Sequence, residues 1–176
     1  MTYKPDKLAF YSKSKDVSSG NGAQEYVNYT HNYKELNEIK DWRKILSNFH
    51  VYSFKYDDYT YNSIEHVFQA MKISLADPEK AFYFTIESQH KIGLGDGALA
   101  QKNRKLVKLN DNQLAQWDSI KLNVMDKAAR CKYTVCVEAR NVLMATKNAQ
   151  LWHIVTRSFP MRFIHLETIR NELRDS

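Results

Sequence analysis

From Asn62 to Ser74 the sequence runs Asn-Ser-Ile-Glu-His-Val-Phe-Gln-Ala-Met-Lys-Ile-Ser, and four of these side chains could do chemistry together. On a helix turning about 100° per residue, Phe68, Gln69 and Lys72 fall within about 60° of Glu65. One face then carries a carboxylate, an aromatic ring, an amide and an amine. A carboxylate and an ammonium in one wall are costly to bury unless they pair or meet a polar ligand. A carboxylate placed there can stabilise a developing positive charge or activate water. A lysine amine can instead attack a carbonyl carbon and form a Schiff base, provided its surroundings lower its pKa. His66 points away from its neighbour Glu65, so the two are not a dyad. The same residues allow plainer roles. Asn62 is a good N-cap, and Glu65 three positions on would complete a capping box. Lys72 would then be an ordinary solvated lysine.

The elements around this stretch are mostly helical. Residues 1–35 are partly irregular, with a short strand at Leu8–Tyr11. Ser18-Ser19-Gly20-Asn21-Gly22 is a loop signal, either a mobile surface loop or one flanking a ligand cleft. Lys34–Trp42 is expected to be a short helix. Residues 49–61 alternate, are rich in aromatics and turn at Asp57-Asp58, which predicts a hairpin. The Asn62 helix runs to about Ala76. Pro78 opens the next helix at its first position; that helix carries Phe82, Tyr83, Phe84 and Ile86 and ends before Gly93. Gly95-Asp96-Gly97 leads into a basic helix with Lys102, Arg104, Lys105 and Lys108. Asn110 and Gln113 start a long helix, with Leu114, Trp117, Lys121, Val124, Ala128 and Cys131 at helical spacing. Val135–Thr146 is a further helix, Leu151–Val155 a buried strand, and His165–Arg174 a closing helix. The fold class expected is mainly α: a single multihelical domain over 1–176 with a small β element near 8–11, 50–61 and 151–155.

Composition narrows the function classes. The chain has 176 residues, 43% of them hydrophobic, which is enough for a core. Five glycines and three prolines are too few for a turn-rich sandwich. The net charge of +6 favours anionic partners without choosing among nucleic acid, nucleotide phosphate and acidic lipid. Cys131 and Cys136 are the only cysteines and do not suggest a disulfide framework, so a reducing compartment fits. The N-terminus lacks a signal-peptide core, and no window is apolar enough to span a membrane. A cytoplasmic location, possibly in a host cytosol, is therefore expected. Six histidines show no paired metal-ligand spacing, and Gly93-x-Gly95-x-Gly97 lacks the context of a dinucleotide fingerprint. Neither a metal nor a cofactor is expected.

The chain resembles the NADAR (YbiA-like) superfamily over roughly residues 46–174. The resemblance rests on Leu46-Ser47-Asn48-Phe49, on Tyr61 through Lys72 with its Glu-His-x-Phe-Gln-Ala-x-Lys run, on Gln116 through Lys121, and on Leu166 through Arg170. It implies a mainly helical domain that hydrolyses an N-glycosidic bond to ribose, with Glu65 at the family's catalytic glutamate position. Two substrate classes come with the family: ADP-ribose attached to guanine bases, and early phosphorylated riboflavin intermediates. A binding module for ADP-ribose or nucleic acid without turnover is the reading from another class. Lys72 is added to the catalytic set from helix geometry. Trp117 matches a family tryptophan that could stack on base or sugar, or could simply be core. Asn48 could orient the ribose; Phe49, Phe68, Gln69, Lys121 and Arg104 complete the expected binding set. Members usually carry a Trp-Gly-Asp-Gly type loop near the C-terminus. Here Thr156 through His165 is shorter and has no aspartate. Arg157, Arg162 and His165 would instead make the pocket cationic, which favours pyrophosphate-bearing ADP-ribose on guanine in nucleic acid or nucleotide.

Overall fold

The computed structural model describes residues 2–176. In chain order it contains β1 (Lys7–Phe10), a 3₁₀ turn (Thr30–Tyr33), α1 (Lys34–Glu38), α2 (Trp42–Leu46), β2 (Phe54–Tyr56), β3 (Tyr59–Tyr61), α3 (Ile64–Ser74), α4 (Pro78–Phe82) and α5 (Lys91–Leu94). It continues with α6 (Gly97–Lys102), α7 (Asp111–Val135), α8 (Val137–Ala145), β4 (Gln150–His153), β5 (Met161–Arg162) and α9 (Ile164–Asp175). The fold is mainly α. No helix among the described residues is long and apolar enough to cross a membrane.

The chain forms two compact units: residues 1–47 with 137–176, and residues 48–136. In the first, β1 pairs parallel with β4, which pairs antiparallel with β5. Leu8 lies opposite Leu151 and Phe10 opposite His153. A parallel pair is usually covered on both faces, and Leu8, Ala9, Phe10 and Leu151 are all buried. Phe163 docks edge-on to Phe10 at 5.5 Å, and Val142, Leu143, Leu166 and Ile169 extend this core.

The N-terminal loop of this unit is fastened, contrary to a mobile reading. The Glu25 carboxylate accepts N–H groups from Ala9 (3.0 Å), Gly20 (3.0 Å) and Gly22 (3.1 Å). Arg43 grips the same carboxylate through Nε and Nη2 at 2.9 and 2.7 Å. Its remaining N–H groups donate to the carbonyls of Lys15, Val17 and Ser18. Two glycines make this possible. Gly20 has φ +89°, and a Cβ on Gly22 would stand 2.7 Å from a Glu25 oxygen and 2.9 Å from Arg43 Nε.

In the second unit, β2 and β3 form a hairpin with Tyr56 opposite Tyr59, turning at Asp57 with φ +52°. Helix α7 begins with a complete capping box: Asn110 Oδ1 accepts from Gln113 N, and Asn110 N donates to Gln113 Oε1. Gln113 also donates to the Leu75 carbonyl at 3.0 Å, tying the start of α7 to the end of α3.

Several expected elements are shorter or divided. The hairpin pairs only residues 54–56 and 59–61, not the whole of 49–61. The helix expected over Lys34–Trp42 stops at Glu38, because Ile39 turns extended and Asp41 adopts φ +55°; α2 then starts at Trp42. The Pro78 helix ends at Phe82 instead of nearing Gly93. Thr85 and Ser88 hydroxyls cap carbonyls of Phe82 and Thr85 there, and Phe84 is fully buried. The basic helix ends at Lys102, so Arg104, Lys105 and Lys108 lie beyond it. Leu114, placed on the α7 stripe, is exposed. The strands near 8–11 and 151–155 are shifted by one residue at their starts, and β5 was not anticipated.

Candidate active site

Helix α3 positions the Glu65 constellation, and its N-cap is Ser63 rather than Asn62. Ser63 Oγ accepts the His66 N–H at 3.2 Å and lies 2.7 Å from His66 Nδ1. His66 Nε2 is 2.8 Å from the Ile92 carbonyl. A carbonyl can only accept, so Nε2 carries the proton and Nδ1 accepts from the Ser63 hydroxyl. Burial lowers the His66 pKa, outweighing the Ile92 hydrogen bond that favours the cation. His66 is thus a neutral brace between α3 and α5, as its direction away from Glu65 implies. Asn62 instead donates to the Gly95 carbonyl at 3.1 Å and accepts from the Ser53 hydroxyl.

The capping-box role for Glu65 is therefore not the one the protein uses. Its backbone N–H, one of the free donors of the first helical turn, donates to the Asn48 carbonyl at 3.0 Å. Its side chain turns inward: Glu65 is 8% exposed, and one carboxylate oxygen accepts a 2.7 Å hydrogen bond from Gln69 Nε2. Burial raises the Glu65 pKa; the Gln69 hydrogen bond and the charges of Lys72 and Arg104 act in the opposite direction and are outweighed. The amide oxygen of Gln69 is buried too and makes no hydrogen bond among the described residues. Most buried polar atoms are paired, so a carboxylate beside an unspent acceptor is a site disposed towards a hydroxyl-bearing ligand.

The other expected residues take different places. Asn48 is buried and presents its carbonyl to Glu65. Phe49 is half-buried and backs onto Gly97. Phe68 packs edge-on against Trp117 at 4.8 Å. Trp117 is only 5% exposed, so most of its ring is already covered within the unit. Lys72 is half-buried, and Arg104, though exposed, acts on the Glu65 carboxyl through its charge. Lys121 pairs with Asp118 at 2.8 Å on the surface. Arg162 and His165 belong to the other compact unit. There Arg162 is held by both oxygens of Glu167 at 2.8 and 2.7 Å, so its charge is already matched, and His165 packs against Phe163.

Gly97 is a site residue that the sequence did not single out. A Cβ there would stand 2.5 Å from Phe49 Cα and 2.9 Å from its carbonyl oxygen. These are backbone atoms and cannot swing aside. Gly97→Ala is expected to cost about 1–3 kcal/mol by overpacking. It should also displace the 48–49 segment that receives the Glu65 N–H, so thermal midpoint and turnover should fall together in melting and rate measurements. The signal in the sequence was only a glycine at a helix start, where an N1 residue rarely needs one.

The Glu65, Gln69, Lys72 and Arg104 side chains sit on a mainly helical scaffold, and comparison with known proteins gives its family. The NADAR domain family matches residues 28–157, and the chain belongs to that family. The NMR structure of the E. coli protein YbiA is similar in fold, with a TM-score of 0.60 and 21% identity over 99% of this chain and 88% of that one. No curated protein matches the chain.

Proposed function

We propose that the protein is an N-glycosidase that hydrolyses the bond between ribose and a base, releasing ADP-ribose from guanine in nucleic acid or nucleotide. The observation that carries this reading is the buried Glu65 carboxylate, held by Gln69 and faced by the charges of Lys72 and Arg104. As the C–N bond breaks, its electron pair leaves with the base and positive charge develops at the anomeric carbon. Glu65 stabilises that charge and takes a proton from the water whose oxygen bonds to the same carbon. The base leaves with a proton, and the sugar gains a hydroxyl. The free Gln69 oxygen suits a ribose hydroxyl donor, and Arg104 suits a phosphate. The basic net charge suits a nucleic-acid substrate, and the two free cysteines suit a cytosolic setting. Separation of free ADP-ribose from the unmodified oligonucleotide by chromatography tests the reaction; intact substrate at high enzyme concentration would refute it.

Lys72 is assigned the role of keeping Glu65 ionised, since its charge bears on that carboxyl. Lys72→Arg should then keep turnover within about tenfold, and Lys72→Met should lose more. Borohydride added during turnover distinguishes this from a Schiff-base route. The expected result is no protein adduct by mass spectrometry; a reduced adduct on Lys72 would reverse the assignment.

A further inference from the structure

Residues 97–110 carry four cations, Lys102, Arg104, Lys105 and Lys108, and no acid, although the chain has 20 acidic residues. All four are exposed, and none forms an ion pair among the described residues. The backbone that bears them is fixed. Arg104 N–H donates to the Gln101 carbonyl and Leu106 N–H to the Asn103 carbonyl, both at 3.0 Å. The Asn103 side-chain amide closes the end of α6 on the Leu99 carbonyl at 2.9 Å. Hydrogen bonds that span three residues put side chains three apart on one side, so Lys102 and Lys105 project together. Asn103, Leu106 and Val107 are half-buried and Leu109 is buried, which leaves the cations as the outer face. The strip also reaches the site, because the Arg104 charge bears on the Glu65 carboxyl.

Four like charges held in one short segment repel one another, and an anion relieves that. Arg104 alone serves one phosphate beside Glu65, and three lysines remain. An interface with another protein gathers aromatic rings and depletes lysine at its core; this segment has three lysines and no aromatic residue. A membrane surface would take the same charge, but it is gripped through exposed apolar side chains, and here Leu106, Val107 and Leu109 are half-buried or buried. Evenly exposed lysines without acids between them suit a chain of phosphates, where each cation releases a counterion.

We infer that Lys102, Lys105 and Lys108 form a docking surface for the nucleic-acid strand that flanks the modified base, outside the pocket of Glu65. That the strand is a substrate rests on the glycosidase reading; that it binds here does not. Binding is therefore read first, by anisotropy of a labelled, unmodified single strand of about twelve nucleotides. Lys102→Ala/Lys105→Ala/Lys108→Ala should weaken it at least about tenfold and lower the salt slope by about 2. Lys34→Ala/Lys40→Ala/Lys55→Ala removes the same charge from exposed positions elsewhere and should stay within about twofold of wild type. All six side chains are exposed, so the thermal midpoints should hold. In turnover, a modified oligonucleotide should exceed a modified mononucleotide at least about tenfold in kcat/KM. The first triple variant should lose that advantage through KM, with kcat within about twofold. Binding through these lysines without release of ADP-ribose would refute the glycosidase reading and leave the strand surface standing. Equal weakening in both triple variants, no binding of the strand by wild type, or equally tight binding of phosphatidylserine vesicles through the same lysines overturns the inference.

Discussion

Glu65→Gln is expected to lower turnover roughly a thousandfold, within the range for loss of a positioned acid–base group, while KM changes only a few-fold. The amide keeps the shape and can still accept from Gln69, so binding should persist. Stability gives an independent reading. Burial raises the Glu65 pKa in the folded protein. A carboxyl raised on folding supports stability below its unfolded pKa, and that support is lost as pH rises through the folded value. The ionised glutamate is thus a burden at neutral pH, which glutamine removes. The variant should melt higher than wild type at pH 7, with the gap closing below about pH 4. A purely structural glutamate would give the reverse: a lower melting point and unchanged rate in the folded fraction. The same shift places the acid limb of kcat/KM above the ordinary carboxylate range, because activity requires the ionised form.

Arg43→Ala should be the most destabilising single change in the first compact unit. Glu25 would be left buried with its charge uncompensated, and breaking such a pair costs about 3–5 kcal/mol. For a chain of this size that lowers the thermal midpoint by roughly 10 °C. Protease nicking should then appear between Lys13 and Gln24, because the guanidinium donates to three carbonyls of that loop. Differential scanning calorimetry with limited proteolysis checks both; a midpoint within about 2 °C of wild type would contradict this account of the loop.

Much of the second unit was legible because its signals are local. The Asn110–Gln113 capping box, Pro78 at a helix start and the Asp57-Asp58 turn each depend on residues within a few positions, and each formed. The shared face of Glu65, Gln69 and Lys72 follows from helical spacing alone. Other features depend on distant partners. Asn62 and Ser63 are both good caps, and the choice fell to Ser63 because Gly95 and Ser53 occupy Asn62. Glu25 and Arg43 are 18 residues apart and read individually as surface charges. Lys132 likewise reads as a solvated lysine, yet it is fully buried one turn after Ala128 on the stripe of α7. The resemblance puts Arg162 with the Glu65 residues, in the segment that replaces the family's usual loop, and its pairing with Glu167 is not legible in residue types.

The most direct test of the central claim is mass spectrometry of a guanine-ADP-ribosylated DNA oligonucleotide incubated in heavy-oxygen water with wild type and with Glu65→Gln. The account predicts that wild type alone strips the ADP-ribose mass from the oligonucleotide, and that the freed sugar carries the heavy oxygen at its anomeric carbon. An oligonucleotide left intact by wild type, or stripped equally by Glu65→Gln, would contradict it.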